Sequence, residues 1–238
     1  MNTENLEKAI REKEGVMSLA FPSLMRKVYI WMFWALTITG VTAYGVANSP
    51  VLATSIFSNQ TLFWALIIGE LALVFSISRW LDKLSLTAAT LLFILYSFIN
   101  GITLSVIFFV YSPMVIAKVF FITAGTFGIM AAYGYFTKTD LSKIGKILFM
   151  ALIGLIIATL VNLFMRSAVF DMVLSYIGVL VFVGLTAWDS QKIKRMLAMQ
   201  PEADENAMKL ALIGALNLYL DFINLFLYLL RIFGRSNN

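Results

Sequence analysis

Residues 147–165, ILFMALIGLIIATLVNLFM, run for 19 positions without one charge and are bracketed by Lys143 and Lys146 on one side and Arg166 on the other. About 20 apolar residues in a helix cross the roughly 30 Å of hydrocarbon in a bilayer. The run is continuous, with no in/out alternation, so it reads as a helix and not as a barrel strand. Six further segments have the same character. Their limits are 28–48, 61–80, 86–110, 114–136, 172–189 and 209–231, and the quoted run belongs to a segment spanning 145–166. The predicted fold class is therefore an all-α integral membrane protein crossing the bilayer seven times.

The composition agrees. The chain has 238 residues, 61% of them hydrophobic and 13% charged, whereas a soluble domain carries about a quarter charged residues. Residues 1–27 are polar, with Glu and Lys/Arg interleaved, and are predicted to form a short helix or arm before a transmembrane domain over 28–235. Fourteen of the 18 Lys and Arg residues fall on the side that carries the N-terminus, including Arg26, Lys27, Arg79, Lys83, Lys138, Lys143, Lys146, Lys192 and Lys194. Only Lys118, Arg166, Arg231 and Arg235 fall on the other, so the positive-inside rule puts the N-terminus in the cytosol, and the expected location is the cell's inner (plasma) membrane. Arg231 and Arg235 leave two topologies open: the last segment either spans fully or is re-entrant. The net charge of +5 is spread between apolar segments, which argues against a nucleic-acid partner.

The chain contains no cysteine and no histidine. Disulfides, thiolate and imidazole metal sites, and His-dependent hydrolase dyads are thereby excluded. A pH response near neutrality would have to come from a perturbed carboxylate. Ionisable groups inside spans are costly and usually face a cavity or a partner, and three carboxylates qualify: Glu70, Asp189 and Asp221. Asp221 lies in the middle of the last segment. Asn217, Asp221, Asn224, Tyr228 and Arg231 follow 4-3-4-3 spacing on one helix face, as expected of a helix lining a polar path. Asp189 is either an interfacial residue or, if its helix runs on through Ile193 and Leu197, a buried one. Arg79 is either a topology anchor or a counter-ion. Tyr96, Asn100 and Thr103 share a face of the third helix. Helix arithmetic sets Asp221 about 10 Å deeper than Asp189.

Three stretches carry a resemblance to a known family. They are Met25-Arg26-Lys27-Val28-Tyr29 leading into Thr39-Gly40 and Ala43-Tyr44, then Thr186-Ala187-Trp188-Asp189-Ser190-Gln191-Lys192-Ile193-Lys194, and Leu218-Tyr219-Leu220-Asp221-Phe222-Ile223-Asn224-Leu225-Phe226 running on to Gly234. In these the chain resembles the bacterial branch of the Bax inhibitor family, the transmembrane Bax-inhibitor-motif proteins. The resemblance implies a seven-helix bundle around a central C-terminal helix, acting as a pH-sensitive calcium leak channel. By motif, the family's gating aspartate pair maps onto Asp189 and Asp221. By position, its latching arginine maps onto Arg79. Glu70, Asn100, Asn217, Asn224 and Tyr228 are pore-lining candidates. Calcium is expected as a permeant ion met transiently by Asp189 and Asp221, with no resident cofactor.

Two other classes compete. Intramembrane aspartyl proteases also place one Asp on each of two helices, but they use a Gly-x-Gly-Asp turn, and here Tyr219-Leu220 precedes Asp221; no enzyme is expected. The alternative function is regulatory, with the protein restraining a membrane protease or stress-response partner through its charged N-terminal arm. Lipid and calcium are the expected partners, and the oligomeric state is left open.

Overall fold

The computed structural model describes the backbone of residues 3–235 and the side chains of residues 20–234. Among these residues all regular structure is helical. The helices are α1 (Thr3–Ala47), α2 (Pro50–Phe57), α3 (Gln60–Trp80), α4 (Leu86–Leu104), α5 (Ile107–Val110), α6 (Pro113–Phe136), α7 (Ser142–Met165), α8 (Ala168–Ala198) and α9 (Glu205–Arg235), with one 3-10 turn at Leu81–Lys83. Seven stretches are long and apolar enough to cross a membrane: Ala20–Ala47, Gln60–Lys83, Leu86–Val110, Pro113–Phe136, Ser142–Met165, Ala168–Ala198 and Glu205–Gly234. The protein is thus an all-α, seven-span membrane protein.

Local chemistry sets the ends of these helices. Ser49, Asn59, Ser85 and Ser112 each cap a helix by accepting a hydrogen bond from a first-turn N–H. Pro50 and Pro113 occupy the first helical position after two of these caps, where a missing N–H costs nothing. Asp204 accepts from Ala207 N at 2.8 Å at the start of α9.

The chain forms two compact units. The first comprises Met1–Val106 and Ile193–Leu216, the second Ile107–Lys192 and Asn217–Asn238. In the first unit α1 packs on α4, where Thr39 Oγ1 donates to Ser97 O at 2.9 Å. In the second unit α6 packs on α9 through aromatic rings: Phe222 lies 5.4 Å from both Phe120 and Phe127, and Phe226 lies 6.3 Å from Phe120. Two thirds of the apolar window of α9 is buried (67%), against at most 39% for any other span. The window of α9 is thus the most buried of the seven.

Several boundaries differ from the sequence reading. Helix α1 continues without a break from residue 3 into the first span, and burial is already complete at Leu24. The segment read as 86–110 is interrupted at Ser105 and Val106, where Ser105 turns its hydroxyl back onto Ile102 O. Helix α8 runs nine residues past the expected end at Asp189. Charge in 192–195 lowers hydropathy there, but Ile193 and Leu197 are buried at helical spacing and continue the core stripe of the helix. Helix α9 has no break over Glu205–Arg235, and its 31 residues, about 46 Å of helix, have the length of a full span.

Candidate functional site

The longer α8 resolves the depth mismatch between the two aspartates. With about 13 Å of helix continuing beyond it, Asp189 lies inside the protein, and it is buried together with Asp221 in the second unit. The two side chains lie within hydrogen-bonding reach of each other. Ionised carboxylates have only acceptors, so this contact becomes a hydrogen bond only when a proton sits on one of them. Oδ2 of Asp221 is the one buried side-chain oxygen, among the described residues, that no donor reaches.

The residues around Asp189 explain why α8 is held so firmly there. Ser190 Oγ donates to Ala131 O of α6 at 2.7 Å. Gln191 clamps the α6–α7 connection: its Nε2 donates to Thr139 O at 2.7 Å and its Oε1 accepts from Leu141 N at 2.9 Å. Two glycines let the helices approach. A Cβ on Gly134 would lie 2.7 Å from the carbonyl carbon of Ala187 and would overlap its oxygen, and one on Gly145 would run into the Trp188 ring. The stretch from Ala187 to Gln191 thus touches α6, α7 and their connection, with Asp189 at its centre. Lys192, one turn beyond Asp189, sits 5.1 Å over the Trp188 ring and its charge acts on both aspartates.

The polar face read on α9 coincides with the half-open side of that helix. Asn217, Leu220, Asn224, Tyr228 and Arg231 are half-buried, while Asp221 beside them is buried. Asn224 Nδ2 donates back to Leu220 O at 2.8 Å. The Tyr228 ring stacks on Phe182 at 5.8 Å, and Arg231 lies over Tyr228 and 3.8 Å from Asp171.

The remaining candidates belong to the first unit. Glu70 accepts from Thr103 Oγ1 at 2.6 Å and from Asn100 Nδ2 at 3.4 Å, which makes a polar cluster between α3 and α4. Arg79 is in the last turn of α3 and exposed, as a snorkelling anchor would be. Ser190, Gln191, Gly134, Gly145 and Lys192 do not stand out as site residues in the sequence. A Gln inside an apolar helix is the available signal for Gln191; the glycines carry none. No group of three or more His, Cys, Asp or Glu comes together among the described residues.

The chain is similar to other proteins over most of its length. A family model described as "Inhibitor of apoptosis-promoting Bax1" matches residues 22–238. The inner membrane protein YbhL of Escherichia coli strain K12 is 50% identical over 211 residues, which cover 88% of this chain and 90% of that protein. An uncharacterised protein of Borreliella burgdorferi is 46% identical over 214 residues, covering 90% and 92% of the two chains. One from Deinococcus radiodurans is 41% identical over 216 residues, covering 91% of each. The matched region starts in the first turns of α1 that pack into the core and takes in every span and both aspartates, so this multi-pass membrane protein belongs to the Bax inhibitor family.

Proposed function

We propose that the protein is a pH-sensitive calcium leak channel of the cell's inner membrane, with its N-terminus in the cytosol and its gate at Asp189 and Asp221. The observation that carries this reading is the buried contact between the two acids, with one Asp221 oxygen lacking any other donor. With one proton on the pair, a hydrogen bond joins α8 to α9 and a single negative charge remains to attract a cation. Lys192 is the cation already acting on it, and Arg79 is the second candidate for the latch. A second proton removes that charge. Loss of the shared proton sets two negative charges face to face in a medium where their repulsion is poorly screened. Both changes loosen the latch and shift the protein toward its open form.

Calcium suits a path offering carboxylate and amide oxygens, such as Asn217 and Asn224, provided that no site holds it tightly. The reading is one of transport and not of catalysis. The test is calcium flux into liposomes holding the purified protein, measured across pH. Flux is expected to be lowest at an intermediate pH and to rise on both sides, and Asp189→Asn and Asp221→Asn should flatten the profile. A profile unaltered in both variants removes the basis for the proposal.

A further inference from the structure

The second unit contains a cleft that the proposed gate does not use. It has a volume of about 530 Å³ and is lined in part by Asn162, Arg166, Asp171 and Arg231. Helix α7 ends at Met165 and α8 begins at Ala168, so the cleft sits where the chain turns at the end of two apolar spans. That is the level at which phospholipid headgroups meet protein.

The turn is built to present Arg166. Its φ is 51°, the one positive φ outside glycine among the described residues, a conformation that β-carbon-bearing residues other than Asn and Asp avoid. Asn162 holds it there: its carbonyl accepts from Arg166 N at 2.7 Å and its Oδ1 accepts from Ser167 N at 3.2 Å. Across the cleft, Arg231 is 3.8 Å from Asp171, longer than the roughly 2.7–2.9 Å of a well-made charge-assisted hydrogen bond. The guanidinium therefore retains donors for a better acceptor. Among the described lining residues, two arginines and one aspartate give the cleft a formal charge of one positive unit. Its remaining walls include Leu163 and Phe164, which are 62% and 85% exposed.

We propose that this cleft binds the headgroup phosphate of an anionic phospholipid, with Arg166 and Arg231 holding phosphate oxygens and the acyl chains lying on Leu163 and Phe164. Guanidinium groups recognise phosphate through paired N–H donors. The single net charge of the cleft matches a phosphodiester monoanion. A zwitterionic headgroup would bring its own cation to a positive site. The apolar wall has no role for a free phosphate ion.

The test uses the full-length protein in neutral detergent, with thermal unfolding followed in dioleoyl phosphatidylglycerol, dioleoyl phosphatidylcholine or inorganic phosphate at equal ionic strength. Retained lipid is counted by native mass spectrometry. Phosphatidylglycerol is expected to raise the unfolding midpoint and to be retained, and the other two are not. Asn accepts the left-handed conformation, so Arg166→Asn keeps the turn while removing the charge; it should weaken phosphatidylglycerol binding about tenfold or more, the worth of one charge-assisted contact. Arg231→Gln should do the same, and Lys118→Gln, outside the cleft, should not. The proposal is overturned if phosphatidylcholine binds as well as phosphatidylglycerol, if Arg166→Asn binds like the parent protein, or if inorganic phosphate stabilises equally, which would mean a free-anion site. Arg166→Asn decides the matter even if Arg231→Gln fails to fold.

Discussion

Replacing Gly134 by alanine would place a methyl carbon 2.7 Å from the carbonyl carbon of Ala187 and 2.9 Å from its Cα, and closer still to its carbonyl oxygen. Carbon–carbon contacts settle near 3.5–4.0 Å, so α6 and α8 would have to separate by about 1 Å or more. The obstructing atoms are backbone and cannot rotate aside. The Ser190–Ala131 hydrogen bond, 2.7 Å in the native packing, would stretch to about 3.7 Å, beyond the range of a hydrogen bond. Overpacking of this kind costs about 1–3 kcal/mol, and the lost hydrogen bond adds about 1 kcal/mol. Against these stands a helix-propensity gain of about 1 kcal/mol for Gly→Ala. The net expectation is a destabilisation of about 2 kcal/mol.

Gly128, on the same helix, has no atom within 4 Å of the point where an alanine methyl would lie, so Gly128→Ala should realise the propensity gain alone. With that gain of about 1 kcal/mol, the two variants should differ by about 3 kcal/mol, with opposite signs relative to the parent protein. Equilibrium unfolding in mixed detergent micelles measures this directly. Equal stabilities for the two variants would refute the argument that close α6–α8 contact positions Asp189.

Three further outcomes are expected. Gln191→Ala leaves Leu141 N and Thr139 O without their side-chain partner and should cost about 1–3 kcal/mol, read by the same unfolding measurement; native stability would show that the clamp is dispensable. In the flux assay, Lys192→Gln should shift the pH at which leak is lowest, because its charge acts on both aspartates; a shift in Arg79→Gln alone would assign the latch to Arg79 instead. Thr103→Val keeps the side-chain volume and removes the 2.6 Å donor to Glu70, so faster hydrogen exchange is expected along α3 and α4, and an unchanged pattern would mean that this bond does not hold the two helices together.

Much of the fold is legible along the chain because lipid imposes a one-dimensional demand. Each span must be apolar for about 20 residues and must satisfy its own backbone internally, and hydropathy registers both. The reading fails where charge and helix part company. Lys192, Lys194 and Arg195 end the apolar run, yet α8 continues because Ile193 and Leu197 keep its buried stripe intact. The same blindness sets Asp189 too shallow. The break at Ser105 and Val106 is equally hidden, since those residues are as acceptable in a helix as their neighbours.

The sequence by itself determined that this is a seven-span helical protein with carboxylates at Glu70, Asp189 and Asp221 inside its spans, because residue type alone decides what a bilayer tolerates. Only the tertiary structure decided which of those acids meet. Asp189, which meets Asp221, is positioned by helix contacts at Gly134 and Gly145 and by the Gln191 clamp, while Glu70 accepts from Thr103 and Asn100. Pairing depends on ångström-scale approach between segments distant in sequence, and that distance is set by packing geometry, which no property of a single segment encodes.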